Sequence, residues 1–333
     1  MRRNRLATTP VIVQNRYVTG SRQADCSKRM SELDVDVLVA GGGPAGLSAA
    51  LVLGRCRRSV LLCDNARQRN RLSHAIHGLL GHDGRSPSAF LEAAQSELGR
   101  YPSIRRCSTK VTAVSRRGIE FEFEYEDGTR GTAKKILLAT GLVDERPEIA
   151  GIDEFYGVSV HHCLYCDGFE YKDRPVAAYG KGDKGADLAI MMKHWISDVV
   201  LCTDGDEVSA RAADRLAARN IPVRTEPIAS LEGEGRHLKQ ITFVRGPVLD
   251  RVAIFFSTGC HQASDLSQRL GCERDEKGGV ITDPATEETS VPGVYVAGDV
   301  SRDVLLVAIA VAEGAKAAVA INKAFLRSEG FCE

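Results

Sequence analysis

The feature that most restricts this chain is the run Gly-Gly-Gly-Pro-Ala-Gly at residues 41–46, set between an apolar stretch at 35–40 and an Ala/Leu-rich stretch reaching Leu53. A second apolar run at 59–63 follows and ends at Asp64, 23 residues after Gly41. Length and periodicity read as strand, tight turn, helix and strand. In that frame Gly41, Gly43 and Gly46 keep side chains out of a turn that a pyrophosphate must approach, while the helix start supplies N–H groups and a positive dipole. Asp64 is placed to accept from a ribose hydroxyl. The spacing predicts a dinucleotide-binding βαβ unit.

Further along, Ile119, Phe121, Phe123 and Tyr125 alternate with Glu120, Glu122 and Glu124 before the turn Asp127-Gly128, which predicts a half-buried antiparallel strand and so a β-meander. Residues 135–139 predict a buried strand that ends at Thr140-Gly141. The same grammar then restarts. A strand at 175–179 leads into Gly180-x-Gly182-x-x-Gly185, a helix to about Trp195, a strand at 198–202, a hairpin over 240–256 and Ser257-Thr258-Gly259. This is an internal repeat of nucleotide-binding type. After it, Val294-Tyr-Val-Ala-Gly-Asp299 and a last helix through Asn322 return to the first unit. The expected fold is α/β, with two Rossmann-like three-layer nucleotide-binding domains, a β-meander, and the second domain inserted into the first. The expected boundaries are a tail at 1–32, the first domain at 33–148 and 279–333, and the insertion at 149–278.

A length of 333 residues suits two domains at roughly 100–200 residues each. Lys plus Arg total 44 and so do Asp plus Glu, which leaves no basic surplus to displace counterions; nucleic acid is not an expected partner. The apolar run at 304–312 has nine residues, about half of the ~18 that suggest a membrane span, so a soluble protein is expected. Ten scattered cysteines are too sparse for a disulfide-stapled scaffold and fit a reducing cytoplasm. The first 29 residues carry seven basic side chains against the one acid Asp25, but no signal-peptide apolar core. They read as a disordered tail, or as sequence upstream of a true start at Met30.

Cys163 and Cys166 are close enough in sequence for a local disulfide, and redox exchange is the natural use of such a pair. The competing use, half of a zinc site, needs a second pair that the sequence lacks, so no metal is expected. Asp167 adjoins the second sulfur and could hand a proton to a departing thiolate. Its alternative role is that of a turn residue before Gly168. His161 and His162 could stabilise a thiolate or deprotonate an incoming dithiol, with a purely structural role as the alternative for each.

These residues resemble the low-molecular-weight thioredoxin reductase superfamily over nearly everything from Val35 to Asn322. The resemblance rests on the glycine run at 41–46, Ala-Thr-Gly at 139–141, Cys-Leu-Tyr-Cys-Asp-Gly at 163–168 and Val-Tyr-Val-Ala-Gly-Asp-Val at 294–300. It implies bound FAD and a homodimer. It implies that Cys166 faces the flavin, that Cys163 exchanges with the substrate, and that Asp167 is the proton donor, with His162 beside them. It implies FAD contacts at Gly41, Gly43, Pro44, Ala45, Gly46 and Asp64, and further ones at Asn70, His77, Val111, Thr140 and Gly141. Gly298, Asp299 and the backbone of Ala308 complete that set, and a helix start near Ala308 would stabilise reduced flavin.

Two segments depart from the pattern. NADPH-dependent members follow the second fingerprint with basic residues that grip a 2′-phosphate, where this chain has Thr203, Asp204, Gly205 and Ser209. A carboxylate there repels a phosphate dianion, so NADPH is disfavoured. Gly180, Gly182 and Gly185 remain, with Asp204 24 residues after Gly180, which leaves NADH open; the same frame can also persist for packing alone. The segment Arg69-Asn70-Arg71-Leu72-Ser73 with His77-Gly78 is more similar to gliotoxin-type dithiol oxidases and their bacterial relatives. The expected activity is relay of electron pairs between flavin and the cysteine pair, serving a thioredoxin-like protein or a small disulfide or dithiol. A dithiol oxidase using oxygen and a flavin-bearing redox sensor are the alternatives. Cys332 has no nearby partner cysteine and reads as an exposed thiol.

Overall fold

The computed structural model describes residues 34–301 and 304–332, so the expected tail at 1–32 lies outside the described residues. Strand β1 (Asp34–Ala40), helix α1 (Pro44–Arg55) and strand β2 (Val60–Cys63) form the first strand–helix–strand unit. Val37 to Ala40 are buried on both faces, which is why this strand reads as a continuous apolar run and not as an alternation. Helix α2 (Pro87–Leu98) and strand β3 (Ile104–Cys107) follow, and Ser86 caps α2 by accepting from the Ala89 N–H at 3.3 Å. Then β4 (Val111–Arg117), β5 (Glu120–Tyr125) and β6 (Arg130–Leu138) make the meander. The sheet order is β3-β2-β1-β6-β5-β4, with β1 parallel to both β2 and β6.

The alternation in β5 holds for Phe121, Phe123 and Tyr125, which are buried. It fails at Ile119, expected on the same inward face, which is 90% exposed because the strand starts one residue later, after Gly118 turns the chain at φ +62°.

The chain then leaves through β7 (Leu142–Asp144), α3 (Ile152–Phe155), β8 (Val160–His161) and α4 (Leu164–Asp167). A second strand–helix–strand unit is built from β9 (Val176–Tyr179), α5 (Gly182–Met192) and β10 (Val199–Cys202), followed by α6 (Ala210–Ala217) and β11 (Val223–Arg224). Next come β12 (Ile228–Glu234), β13 (His237–Phe243), β14 (Leu249–Asp250), β15 (Ala253–Phe256) and β16 (Cys260–Gln262). The hairpin expected over 240–256 divides differently. β13 pairs antiparallel with β12 and β14, whereas β15 enters the parallel sheet between β9 and β8, where all four of its residues are buried. A wholly apolar strand belongs where both faces are covered, and a two-sided run cannot sit on a solvated hairpin. Helix α5 also stops at Met192, three residues before Trp195.

The outgoing β7 and the returning β16 pair with each other, Val143 opposite His261. After α7 (Leu266–Arg269), strand β17 (Val294–Val296) rejoins the first sheet beside β6, with Val296 opposite Leu138. Helix α8 (Val307–Ser328), six residues longer than expected, lies across α1. The second nucleotide-type fold is thus inserted into the first. The α1–α8 crossing is tight: a Cβ on Gly314 would meet the Ala45 carbonyl oxygen at 2.1 Å.

Candidate active site

A cleft enclosing about 1310 Å³ of empty space, its solvent-facing part included, runs from the β1–α1 turn to the cysteine pair. Its floor is backbone. Gly41 has φ +116°, and a Cβ there would meet the Ala139 carbonyl oxygen at 2.1 Å; a Cβ on Gly46 would meet the Gly41 oxygen at 1.9 Å. Gly43 is the N-cap of α1 with Pro44 after it, no side chain caps the helix, and no acid stands in its first turn. Its amide groups are therefore free for an anion. Gly41, Gly43, Pro44 and Ala45 line the cleft together with Asp64, Asn70, His77, Thr140, Gly141, Gly298 and Asp299. Gly46 supports this turn from behind.

A second uncapped helix start, that of α8, enters the same cleft through Leu305, Leu306 and Val307. Ala308, expected at this point, is the next residue inward and is not among the lining. Val111 also lies elsewhere: its side chain is buried in the core with Val114, Phe121 and Phe123, beside the irregularity where the β4–β5 register shifts between Val111 and Ala113. Asp64 accepts from the Gln68 side-chain amide at 3.0 and 3.1 Å and from the Ala66 N–H at 2.9 Å. An extended cleft with two free helix N-termini and an acid at its adenosine end suits a dinucleotide, so the residues present fit FAD.

At the far end, Cys163 and Cys166 form a disulfide with their Cα atoms 5.3 Å apart, and both line the cleft. Cys163 is the N-cap of α4, its sulfur accepting from the Cys166 N–H at 3.1 Å. His161 is buried between the rings of Phe255 and Tyr171, its Nε2 3.1 Å from the Tyr171 hydroxyl and its Nδ1 3.3 Å from Asp167. His162 faces the cleft, with Nδ1 3.1 Å from the Tyr156 hydroxyl. His77 stands 3.5 Å from Glu170 and 3.6 Å from Asp83.

Sequence reasoning missed a polar network behind these groups. Arg69 Nε donates to both oxygens of Asp144 at 3.0 Å, and Nη1 donates to Asp299 at 3.1 Å. Tyr156 donates to Asp144 at 2.8 Å. Burial would raise the Asp144 carboxyl, but the hydrogen bonds and charge of Arg69, with the His162 and Tyr156 contacts, outweigh it and hold the group below the usual carboxylate range. Burial, then the Asp144 charge, pushes the Tyr156 phenol up. Burial lowers His162 despite Asp144, which favours the neutral imidazole. The one sign of it in the sequence is the unusual segment Arg69-Asn70-Arg71-Leu72-Ser73.

The second glycine frame differs from the first. Gly180 and Gly185 pack backbone to backbone, a Cβ on Gly185 meeting the Gly180 oxygen at 2.0 Å. Gly182 opens α5, but Asp183 occupies its first turn and accepts from the Ser209 N–H at 2.9 Å and hydroxyl at 2.8 Å. Asp204, whose offset from Gly180 left a ribose contact open, accepts from the Tyr179 hydroxyl at 3.1 Å and the Ile228 N–H at 2.8 Å.

A disulfide at one end of a dinucleotide cleft, carried on the second of two nested nucleotide folds, defines a flavoprotein-type disulfide oxidoreductase. The chain belongs to the family described as pyridine nucleotide-disulphide oxidoreductase, whose model matches residues 35–314. Among its relatives are a probable thioredoxin reductase of Arthroderma benhamiae, 30% identical over 80% of this chain and 74% of that protein, and the thioredoxin reductase tcpT of Claviceps purpurea, 32% identical over 80% and 86%. The crystal structure of a putative thioredoxin reductase TrxB from Bacillus anthracis superposes with a TM-score of 0.84 at 35% identity, covering 89% of this chain and 99% of that one. The chain is an oxidoreductase of thioredoxin reductase type.

Proposed function

We propose that the chain relays two electrons between FAD and the Cys163–Cys166 pair, and from the pair to or from a thioredoxin-like protein or a small disulfide or dithiol. The observation that carries this is that both cysteines line the cleft of the first glycine fingerprint. On this reading residues 33–148 and 279–333 hold FAD and 149–278 carry the disulfide. Gly41, Gly43, Pro44, Ala45 and Gly46 cradle the pyrophosphate, Asp64 the ribose, and Asn70, His77, Thr140, Gly141, Gly298 and Asp299 the remainder. Bound FAD would supply a two-electron carrier beside Cys166. Cys163 exchanges with substrate, Asp167 holds a proton for the departing sulfur and His162 serves as base. The protein works as a cytoplasmic homodimer, in keeping with its family resemblance; no helix among the described residues is long and apolar enough to cross a membrane.

NADPH is disfavoured as donor, because Thr203, Asp204, Gly205 and Ser209 offer no cation to a 2′-phosphate. NADH would have to displace the bonds that now hold Asp183 and Asp204. These bonds favour a second reading, a dithiol oxidase that passes electrons to oxygen. The test uses purified protein with NADH, NADPH, thioredoxin and dithiothreitol. Nucleotide oxidation coupled to disulfide reduction supports the reductase, and dithiol-dependent peroxide release supports the oxidase. A colourless protein that takes up no added FAD, or a Cys163→Ser variant with full turnover, would overturn the relay.

A further inference from the structure

The two histidines before the cysteine pair stand among donors and acceptors that fix where their protons lie. A phenol has one proton to give, and an ionised carboxylate or a carbonyl can only accept. The Tyr156 hydroxyl lies 2.8 Å from Asp144 Oδ2 and 3.1 Å from His162 Nδ1. Arg69 keeps Asp144 ionised, so the phenol proton goes to the carboxylate. The phenol oxygen then faces His162 with a lone pair. His162 Nδ1 must carry the hydrogen, and Nε2 is left with its lone pair.

Tyr171 does the reverse for His161. It donates to the Val158 carbonyl at 2.8 Å, so its oxygen accepts the hydrogen of His161 Nε2 at 3.1 Å. His161 Nδ1 then stands 3.3 Å from Asp167 Oδ2. An imidazole lone pair facing a carboxylate at that distance is repulsive unless one proton lies between them.

We propose that Tyr156 and Tyr171 are positioning residues that set adjacent histidines in opposite tautomers: His162 as a base through Nε2, and His161 as the partner that shares one proton with Asp167. This rests on reading Cys163–Cys166 as the exchange disulfide. In dithiol oxidation, His162 takes the proton of the first thiol as its sulfur bonds to Cys163. The Cys163–Cys166 bond breaks, and the Cys166 sulfur leaves with the electron pair and receives the proton held by Asp167 and His161. The second thiol attacks the substrate sulfur of the mixed disulfide, and Cys163 departs, taking the proton from His162. The second thiol's proton restores the Asp167–His161 pair. The substrate loses two electrons and two protons, and the cysteine pair gains both; disulfide reduction runs the same steps in reverse.

The groups facing His162 are Tyr156, Asp144, Arg69, Asp167, His161 and the Phe256 ring, and those facing His161 are Asp167, Tyr171 and the Phe255 ring. The test is the ring-nitrogen chemical shifts of isotope-labelled histidine in the holoprotein, alongside turnover with dithiothreitol. Wild type should show His162 with its hydrogen on Nδ1. Tyr156→Phe should give a tautomer mixture at His162 alone, and Tyr171→Phe should disturb His161 alone. His162→Gln should lose about 100-fold in kcat and Tyr156→Phe about tenfold, with KM within about twofold. A hydrogen on Nε2 of His162 in wild type overturns the tautomer assignment even if no variant folds. An unchanged His162 in folded Tyr156→Phe overturns the positioning role of Tyr156 while leaving disulfide exchange intact. Full turnover by His162→Gln overturns the base, whereas full turnover by Cys163→Ser overturns the exchange reading itself.

Discussion

Replacing Arg69 by Met keeps the reach and most of the bulk of the side chain but removes the cation that holds Asp144 and Asp299. The side chain of Asp144 is 6% exposed, so water cannot take over the lost charge; that of Asp299, at 20%, is partly able to rehydrate. Removing one partner of a buried pair costs roughly 3–5 kcal/mol, and the partial rehydration of Asp299 points to the lower end, about 3 kcal/mol. At roughly 2–4 °C per kcal/mol for a domain of roughly 150–250 residues, the melting temperature should fall by about 6–12 °C. The sign of the pH dependence follows from Asp144. In wild type its carboxyl is depressed, so its contribution is present above the unfolded value of about 3.9 and is lost as pH falls through the folded value. In the variant the buried carboxylate has lost its cation and its pKa rises, so the penalty is complete at neutral pH and shrinks as pH falls. Differential scanning fluorimetry on flavin-free protein, where ligand linkage plays no part, should show a smaller gap near pH 5 than near pH 8. Equal gaps at both, or a shift under about 2 °C, would refute the claim that this pair is a buried electrostatic unit.

Gly46→Ala should yield colourless protein, because its Cβ would fall 1.9 Å from the Gly41 oxygen and force α1 off the turn that it opens; the flavin absorbance of the purified variant checks this. Gly314→Ala places a Cβ 2.1 Å from the Ala45 oxygen, and wedging α8 from α1 should cost about 1–3 kcal/mol, read as a lower melting temperature. Iodoacetamide at neutral pH should label the exposed Cys56 and Cys332 but spare Cys63 and Cys202. Burial pushes each of the latter thiols up to about 12, so they present almost no thiolate, and peptide mass spectrometry decides.

The parts of the fold that were legible in the sequence are those governed by local rules. The 41–46 turn and the β5 alternation depend on neighbours a few residues apart, and both formed where the pattern placed them, apart from Ile119. The fate of 240–256 depended on whether a strand has one covered face or two, which β15 settles only by meeting β9 and β8 from distant parts of the chain. At the site, Cys163, Cys166 and Asp167 were legible because they sit within one short motif. Asp144, Tyr156 and Arg69 were not, because they come together only where β7 leaves the first domain, and no spacing rule connects residue 69 to residue 144.

The two glycine frames show why such a motif is weaker evidence alone than in context. Both bring a helix backbone against a strand end, and in both the third glycine is required by a backbone oxygen at about 2 Å from where its Cβ would be. That requirement comes from packing and persists with or without a ligand. What separates a binding turn from a structural one is the charge and hydrogen bonding at the helix start. The first turn of α1 has neither an acid nor a cap, whereas α5 carries Asp183 bonded to Ser209. A carboxylate already placed at the positive end of a helix satisfies the field that a pyrophosphate would otherwise find there. With Asp183 in its first turn, the start of α5 therefore offers an anion a weaker positive field than the open start of α1 does.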